Sequence, residues 1–229
     1  MKKFDKKKVL DLLLNNAMYI IIAIMVIYVA IKRPRFLGLA SIINIISLTA
    51  SKLPMALGIA GCIVLAGTDI SAGKIVGLSA CITASLLTTV YKIWPSMTAP
   101  LPIPLALLII LCVGGFIGLV NGFCVAQFDL HPYIVTLSTQ LIVYGLILMY
   151  MMLGTNNGMA LSGMTDGYKK LITGSLFKIG TVSVPMYVLY AACFVAIMWV
   201  VWNKTTFGKN MFAVGSNKVA AEVSGVRSE

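Results

Sequence analysis

The run LALLIILCVGGFIGLVNGFCVA, residues 105–126, decides the fold. It holds no charged residue. A helix rising about 1.5 Å per residue over this length crosses the ~30 Å hydrocarbon core of a bilayer. Inside lipid, backbone polar groups must be satisfied within one helix or around a closed barrel. A barrel strand alternates apolar and polar residues over about ten positions. This run does not alternate, so it is a membrane helix.

The rest of the chain agrees. Of 229 residues, 59% are hydrophobic and 11% charged, against roughly 45–50% and 25% in soluble domains. Mean hydropathy is +0.97. Such a chain cannot cover its own surface in water, which excludes an ordinary soluble domain, a disordered chain and a charged nucleic-acid module. Lys and Arg number 18 against 7 Asp and Glu, a net charge of +11. The basic residues stand mostly at segment ends and termini, as membrane topology requires. Cys62, Cys81, Cys112, Cys124 and Cys193 lie inside apolar runs without CxxC spacing; they read as buried thiols with no metal or redox role.

Outward from residues 105–126, charges and prolines divide the chain. Lys2, Lys3, Lys6, Lys7 and Lys8 make residues 1–11 a basic N-terminus. Residues 12–31 are uncharged and end at Lys32-Arg33-Pro34-Arg35, a retained first span. Residues 36–68 are too long for one straight crossing, so an interfacial or broken start is expected before Lys52 and Pro54, then a second span to about residue 66. Residues 67–74 form a polar, glycine-bounded break. A third span follows over 75–91. Pro95, Pro100, Pro102 and Pro104 make an extended connection. After the fourth span come a short turn at 127–132, a fifth span over 133–153, a long polar loop over 154–182 and a sixth span over 184–202. The fold class is thus all-α, a polytopic membrane helical bundle of about six transmembrane helices. The domain organisation is one transmembrane unit over 1–229, with membrane spans over 12–202 and a polar segment over 203–229. Basic N-terminal residues hold that end in the cytoplasm, and six crossings return residues 203–229 to the same side. Lys32, Arg33 and Arg35 then fall outside, against the rule. Trp199 and Trp202 fit the inner interface belt.

Residues 67–74 superficially resemble a phosphate loop, but five residues separate Gly67 from Gly73 and Ile75 follows Lys74; the nucleotide motif needs four residues and a Ser or Thr. Nucleotide binding is rejected. Asp69 suits an N-cap of the third span; an acid at membrane depth also suits a substrate path, and the two roles are compatible. Gly114, Gly118 and Gly122, with Gly73 and Gly77, form smooth ridges for helix packing within the chain or between subunits. His131, the only histidine, has too few neighbours for a metal site, and no nucleophilic constellation exists. The chain is read as no enzyme. Within 203–229, Asn217 suits the N-cap of a short helix over 218–224, with Gly225 past its end. So short a helix is marginal alone; it either docks on a partner or is a plain connection.

Four segments carry a family resemblance. They are Gly67-Thr68-Asp69-Ile70-Ser71-Ala72-Gly73, His131-Pro132-Tyr133-Ile134-Val135-Thr136-Leu137, Trp202 to Asn210, and Gly215-Ser216-Asn217-Lys218-Val219-Ala220-Ala221-Glu222-Val223-Ser224-Gly225-Val226. The chain resembles the bacterial sugar ABC-importer permeases of the ribose/xylose/galactose branch, most of all its galactose side. The resemblance implies a subunit of the inner membrane that carries a monosaccharide inward. It implies a second permease subunit, a periplasmic or lipid-anchored sugar-binding protein outside, and ATP-binding subunits inside that hold ATP and Mg; no cofactor sits on this chain. It implies an ATPase-coupling role for Gly215, Ser216, Asn217, Ala220, Ala221, Val223, Ser224 and Gly225. Asp69, Thr136, Ser138 and Gln140 are the substrate-path candidates, each with a packing or capping role as an alternative. Members of the family continue past this motif into further spans. The chain is therefore expected to be C-terminally truncated and incomplete.

Three other readings compete. A channel working alone should show a filter motif or a charge ring, and a secondary transporter an inverted repeat; neither pattern is present in the sequence. A membrane scaffold without transport is the third.

Overall fold

The computed structural model describes residues 14–90, 93–179 and 182–226. The expected cytoplasmic segment 1–11 with its five lysines, Tyr91 and Arg227 lie outside the described residues. The elements run as α1 (Ala17–Lys32), a 3-10 turn (Pro34–Leu37), α2 (Leu39–Val64), α3 (Ala72–Leu86), α4 (Ile103–Phe128), α5 (Pro132–Met151), α6 (Asp166–Thr173), β1 (Ser175–Ile179), β2 (Val182–Pro185), α7 (Met186–Lys204), α8 (Thr206–Ser216) and α9 (Lys218–Val223). Four of them, α2, α4, α5 and α7, are long and apolar enough to cross a membrane; α1 and α3 are shorter apolar helices. Six apolar helices thus stand where six spans are expected, in a polytopic helical membrane protein. Their outward faces carry exposed Leu111, Phe116, Leu119 and Ile197, as helices apolar all round do in lipid.

Several boundaries differ from the sequence reading. The second span is not broken before Lys52: α2 is one helix of 26 residues with Pro54 inside it. The 3-10 turn and extended Gly38 separate it from α1, so its length falls to about 39 Å, which a modest tilt accommodates. The third span stops at Leu86 rather than near residue 91. There the β-branched run Thr88-Thr89-Val90 turns extended. Thr89 donates its N–H to the Gly163 carbonyl at 2.7 Å, and the Thr88 hydroxyl donates to the Ser162 carbonyl at 2.7 Å. The expected loop 154–182 contains α6 and the antiparallel hairpin β1–β2, in which Phe177 pairs with Val184 and Ile179 with Val182.

The helices form two groups. In one, α2 packs along α7, with β2 against α2 and α8 against both helices; α9 packs on α8. In the other, α3 packs between α4 and α5, which also touch each other. Buried Leu78, Ala84, Ala106, Val135 and Val143 fill the second group. Lys74 on α3 holds its ammonium 4.3 Å from the Tyr144 ring centre on α5.

The ends sort into two sides. On one side, the α2–α3 loop meets the α4–α5 turn, since a Cβ on Gly67 would lie 3.4 Å from the Pro132 ring; α8 meets the end of α2 there as well. On the other, Leu101 donates to the Leu86 carbonyl, Thr89 to Gly163, and Trp94 Nε1 to the Tyr150 hydroxyl at 3.2 Å. These contacts give α2, α3, α4, α5 and α7 alternating directions.

Candidate functional site

The α2–α3 connection begins as a helix end. Ala66 adopts the left-handed conformation, φ 58°. Its N–H donates to the Ile63 carbonyl and that of Gly67 to the Cys62 carbonyl, both at 2.9 Å. This is a Schellman end with alanine where glycine is usual. Gly67 follows where a Cβ would fit tightly, 3.3 Å from the Cys62 carbonyl. The chain then reaches Asp69, whose Oδ1 accepts from the Ser71 N–H at 2.8 Å and the Ser71 hydroxyl at 2.6 Å. The carboxylate so organises the start of α3.

Ser71 extends this into a network. It accepts a hydrogen bond from Asn121 Nδ2 at 3.1 Å, and Asn121 Oδ1 accepts from the Thr139 hydroxyl at 2.6 Å. Asn121 is buried on α4 and Ser71 fully so. One polar chain therefore ties the start of α3 to α4 and α5. Each donor along it points toward Asp69. The second carboxylate oxygen accepts nothing from the described residues.

Asp69 also stands in the wall of a cleft of about 330 Å³ between the two helix groups. Met55, Gly58 and Ile59 of α2 face Ile75 and Val76 of α3 and the glycines Gly114 and Gly118 of α4 across it. Apolar walls with one convergent polar group are the usual make-up of a small-molecule site.

The other substrate-path candidates separate. Thr136 is buried, and its hydroxyl lies 3.1 Å from the Thr68 carbonyl and 2.9 Å from the Pro132 carbonyl. It fastens the loop that carries Asp69. Ser138 is two residues on, so it faces the other way; its exposed hydroxyl bonds back to the Ile134 carbonyl. Gln140 keeps a buried Oε1 without a partner among the described residues. Neither Ser138 nor Gln140 lines the cleft. Of the glycines, Gly77 lies against Ile147 of α5 and Gly114 against Ile75 of α3, whereas Gly73, Gly118 and Gly122 have open space within 4 Å. Gly118 borders the cleft instead. Asn121, Ser71 and Thr139 complete the site without having been singled out from the sequence. The signal for Asn121 was available, as the one amide in the uncharged run 105–126.

The second candidate surface is α8–α9. Thr205 caps α8, accepting from the Gly208 N–H at 3.2 Å. Gly208 and Gly215 are both forced by close approach: a Cβ would lie 2.2 Å from the Trp202 carbonyl at the first and 1.8 Å from the Val64 carbonyl at the second. Gly215 thus packs backbone to backbone on the end of α2. Asn217 caps α9, its Oδ1 accepting from the Ala220 N–H at 3.0 Å. At the other end Gly225 takes φ 85°, donating to the Glu222 carbonyl while Val226 donates to that of Ala221. This is a complete Schellman end. Ala221 turns inward, while Val219 and Val223, one turn apart, are 69% and 85% exposed. Ser216, Ala220 and Ser224 are exposed beside them.

Comparison with known proteins places this architecture. Residues 41–229 match the family described as branched-chain amino acid transport system / permease component. The chain is 37% identical to the galactose/methyl galactoside import permease protein of Haemophilus influenzae and 39% identical to that of Escherichia coli, in each case over 99% of this chain and 67% of the relative. It is 30% identical to the ribose import permease protein of Bacillus subtilis, over 89% of this chain and 58% of the relative. No solved structure matches. The membrane-spanning bundle, the match over residues 41–229 and the likeness along the whole chain lead to one conclusion: this protein belongs to the transport-system permease family, as a multi-pass membrane subunit.

Proposed function

We propose that the chain is the permease subunit of an ABC importer that carries a monosaccharide, galactose or a methyl galactoside, across the bacterial inner membrane into the cytoplasm. A separate subunit binds ATP and Mg and hydrolyses the ATP. A sugar-binding protein delivers cargo to the outer face, and a second copy of the permease completes the pathway. Both termini are cytoplasmic.

The observation that carries this reading is α9, a short helix capped at both ends that presents Val219 and Val223 to solvent. A six-residue helix has no reason to be so well terminated unless its outer face is used. Docked in a groove of the ATPase, it would move with that subunit. The backbone contact of Gly215 with Val64 carries the movement into α2. From there the Ala66–Asp69 connection leads to the cleft, and a tilt of one helix group against the other opens it to either side. Asp69 offers a free carboxylate oxygen to hydroxyl donors, which suits a hexose and leaves binding weak enough for release.

Uptake tests the reading. Cells lacking other galactose transport, supplied with this chain, its cognate ATPase and its sugar-binding protein, are expected to accumulate labelled D-galactose. Inactivating the ATPase should abolish the uptake. Uptake of ribose in place of galactose would move the cargo to the ribose side of the family; uptake of neither would defeat the reading.

A further inference from the structure

Lys52 stands at the middle of α2, about 19 Å from either end at 1.5 Å per residue. It is exposed, and its ammonium has no hydrogen-bond, ion-pair or ring partner among the described residues. Its four-carbon stem cannot reach either interface across half of a ~30 Å core. A charged group so placed faces water or a partner rather than lipid.

Helix phase says which. Lys52 lies three and seven residues before Met55 and Ile59, two of the three α2 residues that line the cleft, and so shares their side of the helix. Ser51 lies four residues before Met55, and Asn44 eleven before it, on the same side. Both are exposed. The face of α2 that packs on its own group is the opposite one, with buried Ile43, Ser47 and Ala50. Asn44, Ser51 and Lys52 therefore make a polar line along α2 that leads toward the cleft with Asp69 in its wall.

We propose that this face of α2 is the wetted wall of the cargo path, and that Lys52 donates hydrogen bonds to the hydroxyl oxygens of a neutral sugar at the membrane midplane. Asp69, toward the inner end, is the matching acceptor. A sugar hydroxyl both donates and accepts, so one donor station and one acceptor station in series suit it. The inference rests on the permease reading above.

Cysteine accessibility in the assembled transporter tests it. A cysteine-free parent receives Lys52→Cys, Ser51→Cys or, as a lipid-facing control on α4, Phe116→Cys, and is treated with a small charged methanethiosulfonate. The cysteine thiolate attacks the reagent's sulfenyl sulfur, forming a mixed disulfide and releasing methanesulfinate, and thiolate forms only where water reaches. Lys52→Cys and Ser51→Cys are expected to react at least about tenfold faster than Phe116→Cys, and excess D-galactose is expected to slow the reaction at Lys52→Cys. Reaction no faster than the control, or a disulfide between two copies at Lys52→Cys, would overturn the wetted wall. Fast reaction that no hexose slows would overturn the donor role. Galactose uptake by the cysteine-free parent is measured alongside. Uptake without labelling defeats this inference alone; labelling without uptake defeats the sugar-permease reading alone.

Discussion

Asn121 joins three helices through two hydrogen bonds, to Ser71 on one side and Thr139 on the other. Replacing it with leucine removes the bond each partner makes to it in a buried site. Asn121→Leu is expected to cost about 1–2 kcal/mol, read as a lowered unfolding midpoint in detergent. Ala66 offers the opposite case. Its left-handed backbone, φ 58°, costs an L-residue roughly 1–2 kcal/mol, and glycine gives back part of that gain as chain entropy. Ala66→Gly is expected to raise the same midpoint by about 0.5–1 kcal/mol; a lower midpoint would show that Ala66 contributes contacts that outweigh its strain. At this scale the sequence was partly legible. Asp69 reads as the N-cap of the third span, but the N-cap is Ser71; Asp69 stands two residues earlier and accepts from the Ser71 N–H and hydroxyl. That Thr136 meets the Thr68 carbonyl while Ser138 faces away depends on the phase of α5 against its neighbours, which no local pattern contains. The Asn121 network depends on the register of three helices, which is likewise set by packing.

Among the elements, α9 was the most legible because its signals are local: Asn217 before it, Gly225 after it, and small apolar residues between. Its neighbour α8 was not, since Gly208 and Gly215 act through contacts with the ends of α7 and α2. The hairpin was missed although Phe177 and Ile179 alternate against Val182 and Val184 around Gly180, a readable pattern in an otherwise polar stretch. Lys52 and Pro54 read as a break, yet α2 continues through both; inside a bundle the freed carbonyl can be accommodated. Two substitutions test the elements. Gly215→Ala forces a Cβ into the Val64 carbonyl, so α8 must shift; the variant is expected to show faster protease cleavage at 204–217 and weaker coupling of ATP hydrolysis to uptake. Val219→Glu with Val223→Glu leaves both caps intact and puts charge on the exposed face. Capture by the ATPase is expected to fall at least about tenfold, with the unfolding midpoint unchanged; a fallen midpoint with normal capture would place those side chains in the fold instead.

For the whole molecule, composition alone settled the membrane class, and the apolar runs anticipated six apolar helices, although α2 continues through Lys52, which read as a break, and α3 begins before Lys74, which read as part of a polar loop. Their grouping was not legible. Nothing in the sequence says that α2 goes with α7 while α3 goes with α4 and α5, because apolar helix faces in lipid carry little partner information and close contact is set by small residues and single polar groups. That grouping creates the cleft and brings Asp69 into its wall. It also sets α8 against the end of α2, so the surface that would meet the ATPase is one backbone contact away from the connection that carries Asp69. The most direct test is co-purification of the chain in detergent with its cognate ATP-binding subunit, comparing the natural sequence with one in which residues 215–225 are scrambled at constant composition. Capture by the natural chain that scrambling abolishes is the expected result. Equal capture by both, or none by a monodisperse natural chain, would contradict the assignment of α9 as the docking element.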